Sequence, residues 1–130
     1  MVTKGFDHPS KNVPEEVAYH TIKNLSKNLP SCVPGVTFLS GGQAEEQASL
    51  NLNALNSFPK GTAPWNLSFS YGRALQTSVL QAWKGDFENN TKAAQDALYA
   101  RGKANSEAAL GIYTGGQGST ATDFVPDYKY

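Results

Sequence analysis

Two short stretches of serine and glycine, each at the start of a helical pattern, hold the residue types best suited to bind an anion. The first, residues 40–42 (Ser-Gly-Gly), offers a hydroxyl group and several backbone N–H groups at a helix N-terminus. The second, residues 70–73 (Ser-Tyr-Gly-Arg), places an arginine in the first turn of a helix. A cation there faces the positive end of the helix dipole, which costs roughly 0.3–1 kcal/mol at an exposed position. It becomes favourable when an anion lies between the two.

Each stretch also has a plainer interpretation. Alone, Ser-Gly-Gly is a tight turn that needs glycine backbone angles, and Arg73 is a surface arginine lying over the neighbouring helix. Ser40 and Ser70, however, stand 30 residues apart at equivalent points of two strand–turn–helix units. In (β/α)8 barrels, the loops after strands seven and eight frequently form a phosphate site. The pairing therefore favours a phosphate site over two unrelated turns.

The elements that position these turns are predicted from hydrophobic spacing. Val36–Leu39, rich in branched and aromatic side chains, is typical of a buried strand, and a second strand runs from Trp65 to Ser70. Apolar residues at helical spacing predict helices over residues 14–29, 43–55, 74–85 and 89–109. Strands that alternate with helices predict an α/β fold with a parallel sheet. Two strands leave both sheet edges unpaired, so we expect the back end of a larger α/β protein that does not fold alone.

Composition and charge exclude several classes of protein. The 130 residues carry 11 basic and 11 acidic side chains, which argues against a nucleic-acid partner and against an anionic-membrane anchor. No apolar run approaches the ~20 residues that a bilayer requires, and the first residues form no signal-peptide core. The single cysteine, Cys32, cannot form an internal disulfide, which favours a reducing compartment.

The remaining reactive side chains give weaker signals. Glu45 and Glu46 could be an acid/base pair, but adjacent helical residues do not face each other, and first-turn carboxylates are explained by the helix dipole. His8 and His20 lack partners at metal-ligand spacing, so no metal or other cofactor is predicted. Cys32 is expected to be a buried thiol rather than a nucleophile. Residues 115–118 (Gly-Gly-Gln-Gly) neither follow a strand nor open a helix, so they are not a dinucleotide-binding motif.

Three motifs in fixed order closely resemble class I fructose-1,6-bisphosphate aldolase. They are Val-Pro-Gly-Val-Thr-Phe-Leu-Ser-Gly-Gly-Gln at residues 33–43, Ala-Ser-Leu-Asn-Leu-Asn-Ala-Leu-Asn at 48–56, and Phe-Ser-Tyr-Gly-Arg-Ala-Leu-Gln at 69–76. The resemblance covers essentially the whole chain and is to the C-terminal third of that enzyme. It implies a (β/α)8 TIM barrel, of which residues 1–110 supply the end of strand six, strands seven and eight, their helices and the extra C-terminal helix. Residues 111–130 would be the flexible C-terminal tail.

The resemblance also implies an activity and a set of site residues. The reaction is the reversible cleavage of fructose 1,6-bisphosphate to dihydroxyacetone phosphate and glyceraldehyde 3-phosphate through a lysine imine. Tyr130 resembles the family's C-terminal tyrosine, which assists proton transfer; as a frayed terminus it would have no such role. A homotetramer and a cytoplasmic location, with a plastid form as the alternative, are family expectations. The residues that would bind one substrate phosphate are Ser40, Gly41, Gly42, Ser70, Gly72 and Arg73.

One part of the family pattern is not matched. The imine-forming lysine of the family lies in a Leu-Lys-Pro segment upstream of the residues that match Met1-Val2-Thr3, and Lys4 is in the wrong place to replace it. We therefore expect a truncated sequence that has no aldolase turnover alone. Two alternatives remain. One is a phosphate-binding module that associates with full-length aldolase, and the other is a different (β/α)8 enzyme with the same phosphate loops.

Overall fold

The computed structural model describes residues 1–5, 7–59 and 62–127 of the chain. Helices and strands alternate in the first part, and two consecutive helices follow. In order, the elements are α1 (Pro14–Asn28), β1 (Gly35–Phe38), α2 (Glu45–Asn56), β2 (Asn66–Phe69), α3 (Arg73–Trp83) and α4 (Phe87–Ala109). The prediction of a mixed α/β chain is confirmed, with helix and strand ends displaced by one or two residues at most positions.

The two strands form a parallel pair, as two consecutive strand–turn–helix units require. Gly35 pairs with Asn66, and Phe38 pairs with Phe69 three residues later. The pairing continues past the last strand residue, because the Ser70 amide donates to the Phe38 carbonyl at 2.8 Å. The turns that follow β1 and β2 consequently leave the sheet side by side.

Burial of β1 differs from the prediction. Only Phe38 is buried in this strand, Val36 is half-buried, and Leu39, just past its end, is 59% exposed. The expectation of a fully buried strand over Val36–Leu39 is therefore wrong. The reason is that a parallel strand is buried on both faces only when helices cover both, and in the described residues the helices that pack on the sheet, α2 and α4, contact β2 rather than β1.

The core lies between α2, the sheet and the C-terminal half of α4. Helix α1 begins at Pro14, whose fixed φ suits a first helical position, and it packs against α2 through Ala18 and Ile22. Helix α4 contributes Ala104 and Ala108, both without measurable exposure, whereas Ala93 near the start of the helix is exposed. The buried cluster also includes Phe38, Ala48, Leu52, Leu55, Trp65, Leu67, Tyr71, Ala74 and Tyr113.

Helix α4 begins at Phe87, two residues earlier than the apolar pattern predicts. The side chain of Asp86 accepts hydrogen bonds from the Asn89 amide at 3.0 Å and from Asn89 Nδ2 at 2.9 Å. Aspartate in this position satisfies one of the N–H groups that every helix leaves unpaired at its start. Among the described residues, no helix is long and apolar enough to cross a membrane.

Candidate functional site

The two predicted turns lie next to each other at the carboxyl ends of β1 and β2. The first corner (residues 40–42) follows β1, and the second corner (residues 70–73) follows β2. Both line one cavity of about 350 Å³. Its walls are formed by Leu39, Ser40, Gly41, Ser70, Tyr71, Gly72 and Arg73. Five of the six predicted phosphate-binding residues therefore share one cavity, and Gly42 lines the larger cavity beside it.

The first corner is shaped by two successive glycines with left-handed backbone angles. Gly41 has φ +59° and Gly42 has φ +86°, values that residues with a Cβ rarely adopt. The turn is closed by Gln43, whose amide and Nε2 donate to the Ser40 carbonyl at 3.1 and 2.7 Å. Successive backbone N–H groups in such turns form concave sites that attract anions.

The second corner presents a helix start and a cation together. Helix α3 begins at Arg73, with Gly72 as its N-cap residue, so the second corner lies at the positive end of this helix. Tyr71 is buried, and its hydroxyl donates to the Ala48 carbonyl at 3.0 Å, which ties this corner to α2. Burial raises the pKa of Tyr71, so its phenol stays protonated and remains a donor.

Residues from the C-terminal part of the chain reach both corners, and the sequence patterns gave no signal for these contacts. Arg73 Nη1 donates to the Asp123 carbonyl, and the Asp123 carboxylate accepts from Thr77 Oγ1 at 3.1 Å. Thr122 Oγ1 donates to the Gly42 carbonyl at 3.3 Å. A Cβ on Gly42 would lie 3.1 Å from the Cα of Phe124, so this approach requires glycine. Tyr130, the predicted catalytic residue, lies outside the described residues.

The larger cavity, about 550 Å³, lies between the N-terminal loop, the two glycines of the first corner, and the start of α2. It is also lined by Glu46 of that helix and by Thr120, Thr122 and Phe124. Lys4 lines it, but its ammonium group is held by the loop. Lys4 Nζ donates to Ser10 Oγ at 3.1 Å and to the Lys11 carbonyl at 3.0 Å, and it forms an ion pair with Glu16 at 2.9 Å. Hydrogen bonding and charge attraction from Lys4 lower the pKa of Glu16. These contacts give Lys4 a structural role in the loop.

Glu45 and Glu46 are buried at the start of α2. Their carboxylates accept hydrogen bonds from the backbone amides of Ser78, Gly116, Gln117 and Ser119. The prediction that both are first-turn carboxylates of a helix is confirmed, and their burial and hydrogen bonds go beyond what the dipole argument predicts. Cys32 is exposed, so the expectation of a buried thiol is wrong: it lies in the surface turn that follows α1. Within the described ranges, no group of three or more His, Cys, Asp or Glu residues could hold a metal ion.

Comparison with known proteins identifies the family to which the chain belongs. The family model described as fructose-bisphosphate aldolase class-I matches residues 1–130. This chain belongs to the class-I fructose-bisphosphate aldolase family.

Two relatives of this aldolase chain illustrate how far the likeness extends. The cytoplasmic isozyme 2 of Pisum sativum is 58% identical over 134 residues, which covers 100% of this chain and 36% of the relative. Aldolase 1 of Toxoplasma gondii is 55% identical over 118 residues, 91% of this chain and 32% of the relative. The chain thus spans about a third of the length of the curated relatives that it matches.

A solved aldolase structure supports the fold. The Plasmodium falciparum aldolase, crystallised in complex with TRAP and a small-molecule inhibitor, is similar with a TM-score of 0.82 and 49% sequence identity. The match covers 89% of this chain and 33% of that one. At this identity the likeness extends beyond topology to local structure.

Proposed function

We propose that this chain provides the phosphate-binding part of a fructose-bisphosphate aldolase active site. The reaction is the reversible cleavage of fructose 1,6-bisphosphate to dihydroxyacetone phosphate and glyceraldehyde 3-phosphate, a lyase step of glycolysis. One observation carries the proposal: the two corners, which the sequence predicts to form one phosphate site, line the same cavity, with an arginine at its wall. A sugar phosphate is the ligand class that such a cavity suits.

Each residue of the site has a distinct part in phosphate binding. Ser40 and Ser70 offer hydroxyl donors, and Gly41, Gly42 and Gly72 let the phosphate oxygens approach backbone N–H groups. Arg73 supplies the charge. Its guanidinium carries five N–H donors, so a phosphate and the Asp123 carbonyl can share it. The family resemblance implies a role for Tyr130 as well: it would assist proton transfer at the carbon whose carbon–carbon bond is cleaved.

We further propose that β1 and β2 are strands seven and eight of a TIM barrel. Their parallel pairing, with a helix after each, is the geometry of adjacent barrel strands. In such barrels the phosphate site frequently lies in the loops after these two strands, where both corners stand. Residues 1–110 would be the barrel part, and residues 111–130 the tail.

The imine-forming lysine is not one that we assign within this chain. A nucleophilic lysine needs a lowered pKa or a neighbouring base, and it must reach the substrate carbonyl. Lys4, one of the lysines that line the larger cavity, is held by Ser10, Lys11 and Glu16 instead. We expect the 130-residue chain alone to have no turnover. Borohydride treatment with dihydroxyacetone phosphate should leave it unlabelled, and stable incorporation into this polypeptide would contradict the expectation.

The phosphate site is tested in a chimera in which this chain replaces the matching segment of the Pisum sativum isozyme 2. Arg73→Ala should raise KM for fructose 1,6-bisphosphate by about tenfold or more, since charge-assisted hydrogen bonds contribute about 1.5–3 kcal/mol. Arg73→Lys should recover part of the loss, because lysine keeps the charge without the two-pronged geometry. Lys92→Ala, which removes an exposed cation of α4, is the control. An Arg73→Ala chimera with unchanged KM would refute the assignment.

A second candidate is an interaction module that associates with a full-length aldolase subunit. The observation that favours it is the two-stranded sheet, whose outer edges have no partner strand within the described part of the chain. Mixing the chain with a complementary N-terminal aldolase segment distinguishes the two candidate functions. Recovered activity indicates that the chain completes a barrel, whereas binding to intact aldolase without activity in the mixture indicates a module.

We also propose a cytoplasmic location and a homotetramer in the complete enzyme. The cytoplasmic and cytosolic isozymes of Pisum sativum, Cicer arietinum and Arabidopsis thaliana support this location. The chloroplastic aldolase 1 of Arabidopsis thaliana, 52% identical, is the reason to test a plastid location as well. Sedimentation of the chimera measures the assembly state.

A further inference from the structure

The most densely hydrogen-bonded polar cluster in the described structure lies outside the phosphate cavity. It consists of Glu45, Glu46 and Arg101, which we call the tail clasp. Their exposed fractions are 1%, 9% and 2%, although carboxylates and guanidinium groups are rarely buried unless they are paired. The aldolase reaction as proposed above gives none of the three a task.

The two carboxylates bind one backbone segment from two sides. Glu46 Oε1 accepts from the Gly116 amide at 2.7 Å, and its Oε2 accepts from the Gln117 amide at 3.2 Å. Glu45 Oε2 accepts from the Ser119 amide at 3.1 Å, and the Glu46 amide donates to the Ser119 carbonyl at 3.1 Å. Tyr113 donates its hydroxyl to Glu46 Oε2 at 2.8 Å. Burial and this hydrogen bond raise the pKa of Tyr113, which keeps it a donor.

Arg101 joins the same segment to three helices. Its Nη1 donates to the Gln117 carbonyl at 3.1 Å, and its Nη2 donates to the carbonyls of Glu45 at 2.9 Å and Ala74 at 3.1 Å. The Arg101 Nε atom lies 3.9 Å from Glu45 Oε2. Arg101 belongs to α4, Glu45 to α2 and Ala74 to α3. The clasp therefore fixes residues 116–119 to the helix starts that carry the two corners.

The Gly-Gly-Gln-Gly sequence, which matched no ligand motif, is explained by this contact. A Cβ on Gly118 would lie 2.7 Å from Arg101 Nη1 and 2.8 Å from the Glu46 amide nitrogen. Only glycine lets the segment approach that closely. The segment is thus shaped to fit the clasp.

The segment that the clasp holds, residues 116–119, comes a few residues before the part of the tail that reaches the phosphate cavity. Ser119 is held by Glu45 and Glu46, Thr122 contacts Gly42, and Asp123 binds Arg73. Thr122 and Asp123 lie only three and four positions after Ser119. With Ser119 fixed, the backbone between them has few rotatable angles, so the clasp determines which residue contacts each corner.

We propose that Glu45, Glu46 and Arg101 are positioning residues that hold residues 116–119 and thereby align residues 122–124 with the two corners. Resting on the phosphate site proposed above, this makes substrate affinity depend on a buried cluster that does not touch the substrate. When the clasp opens, residues 122–124 lose their register and Arg73 loses its alignment.

The test uses the chimera described above and a pair of matched variants. Glu46 and Glu88 are each the second residue of a helix, but Glu46 is buried and Glu88 is exposed. Glu46→Gln should speed deuterium exchange of peptides covering residues 113–119 by about tenfold or more, because a charged acceptor of two amides is lost. Glu88→Gln should leave that exchange unchanged. Unchanged exchange in Glu46→Gln overturns the proposal.

Kinetics of the same variants separate positioning from a purely structural role. Glu46→Gln should raise KM for fructose 1,6-bisphosphate severalfold with kcat nearly unchanged, whereas partial unfolding would lower apparent kcat and leave KM alone. Faster exchange with an unaltered KM would overturn the positioning role. Gly118→Ala, which keeps every clasp side chain but pushes the segment away, should give the same KM increase, and it serves where Glu46→Gln fails to fold. If the chimera without any substitution is inactive, that result speaks against the proposed function. The deuterium exchange of its variants would still show whether the clasp holds residues 116–119.

Discussion

At the scale of single residues, the aromatic side chain of the second corner has a structural task beside the phosphate cavity. The Tyr71 ring is buried in the core, and its hydroxyl reaches the Ala48 carbonyl of α2 at 3.0 Å. A buried phenol is stable only in its neutral form, which is why burial raises its pKa. One of the hydrogen bonds that hold the corner carrying Arg73 therefore depends on the phenol proton of Tyr71.

The protonation of Tyr71 predicts how the free energy of unfolding changes at alkaline pH. The folded-state pKa is raised, so the stabilisation is complete below the unfolded value of about 10 and is lost as pH rises above it. Tyr71→Phe should lower the free energy of unfolding by about 1 kcal/mol at pH 7. It should also weaken the fall in stability between pH 9 and 11, to which Tyr113 contributes as well.

Denaturant unfolding of the chimera at several pH values measures this, with Tyr99→Phe as the control. Tyr99 is 75% exposed, so removing its hydroxyl should change neither the stability at pH 7 nor the alkaline slope. A Tyr71→Phe variant with the full alkaline slope would contradict the argument.

At the scale of elements, α4 shows how one side chain sets a helix boundary. The helix runs from Phe87 to Ala109, and its first residues carry little apolar burial, since Phe87 is 75% exposed. Its start is fixed by Asp86, which accepts two hydrogen bonds from Asn89. These hydrogen bonds lower the pKa of Asp86, because they favour the charged carboxylate.

The loss of stability on removing the Asp86 cap should therefore depend on pH. Asp86→Ala should lower the melting temperature at pH 7, whereas Asp86→Asn, which can accept the same amide, should stay near the parent. Because the folded pKa is lowered, the aspartate contributes fully above its unfolded value of about 4 and progressively less as pH falls below it. The difference in melting temperature between the parent and Asp86→Ala should therefore become smaller as the pH falls below about 4. Circular dichroism melts of the chimera at pH 7 and pH 3 measure it, and a gap that widens in acid would refute the capping role.

At the scale of the whole molecule, the described part of the chain leaves apolar surface uncovered. Beyond the two unpaired sheet edges, large side chains are exposed on the loops and helices. The most exposed are Leu39, Leu80, Phe87, Tyr99, Leu110 and Ile112. Exposed apolar groups and free strand edges favour association with another polypeptide or with copies of the same chain.

We expect this surface to be visible in solution when the chain is studied alone. The 130-residue chain should bind an apolar fluorescent dye and self-associate as its concentration rises. In the chimera, where neighbouring strands are supplied, dye binding per molecule should be lower. Dye fluorescence and sedimentation measure both properties. A monomeric chain that binds no dye would show that its exposed residues are too scattered to form an interface.

Local patterns predicted much of the fold and the composition of the corners. Pro14 and the glycine turns act within a few residues, and apolar spacing acts within one helix, so each can be recognised from a short window. The end of β1 was mispredicted at Leu39 because burial depends on which elements cover a strand. The predicted roles of Arg73 and Tyr130 stay predictions.

The order of elements, the family and the two serine–glycine corners follow from the sequence, because those depend on neighbouring residues and on matching motifs. The folded structure was needed to establish that the corners share one cavity and that Asp123 reaches Arg73, 50 residues away. It was also needed to establish that Glu46 is buried against Gly116, 70 residues away. Such contacts depend on the path of the returning chain. No short window of sequence records that path, since many segments could supply an amide or a carbonyl at the same point.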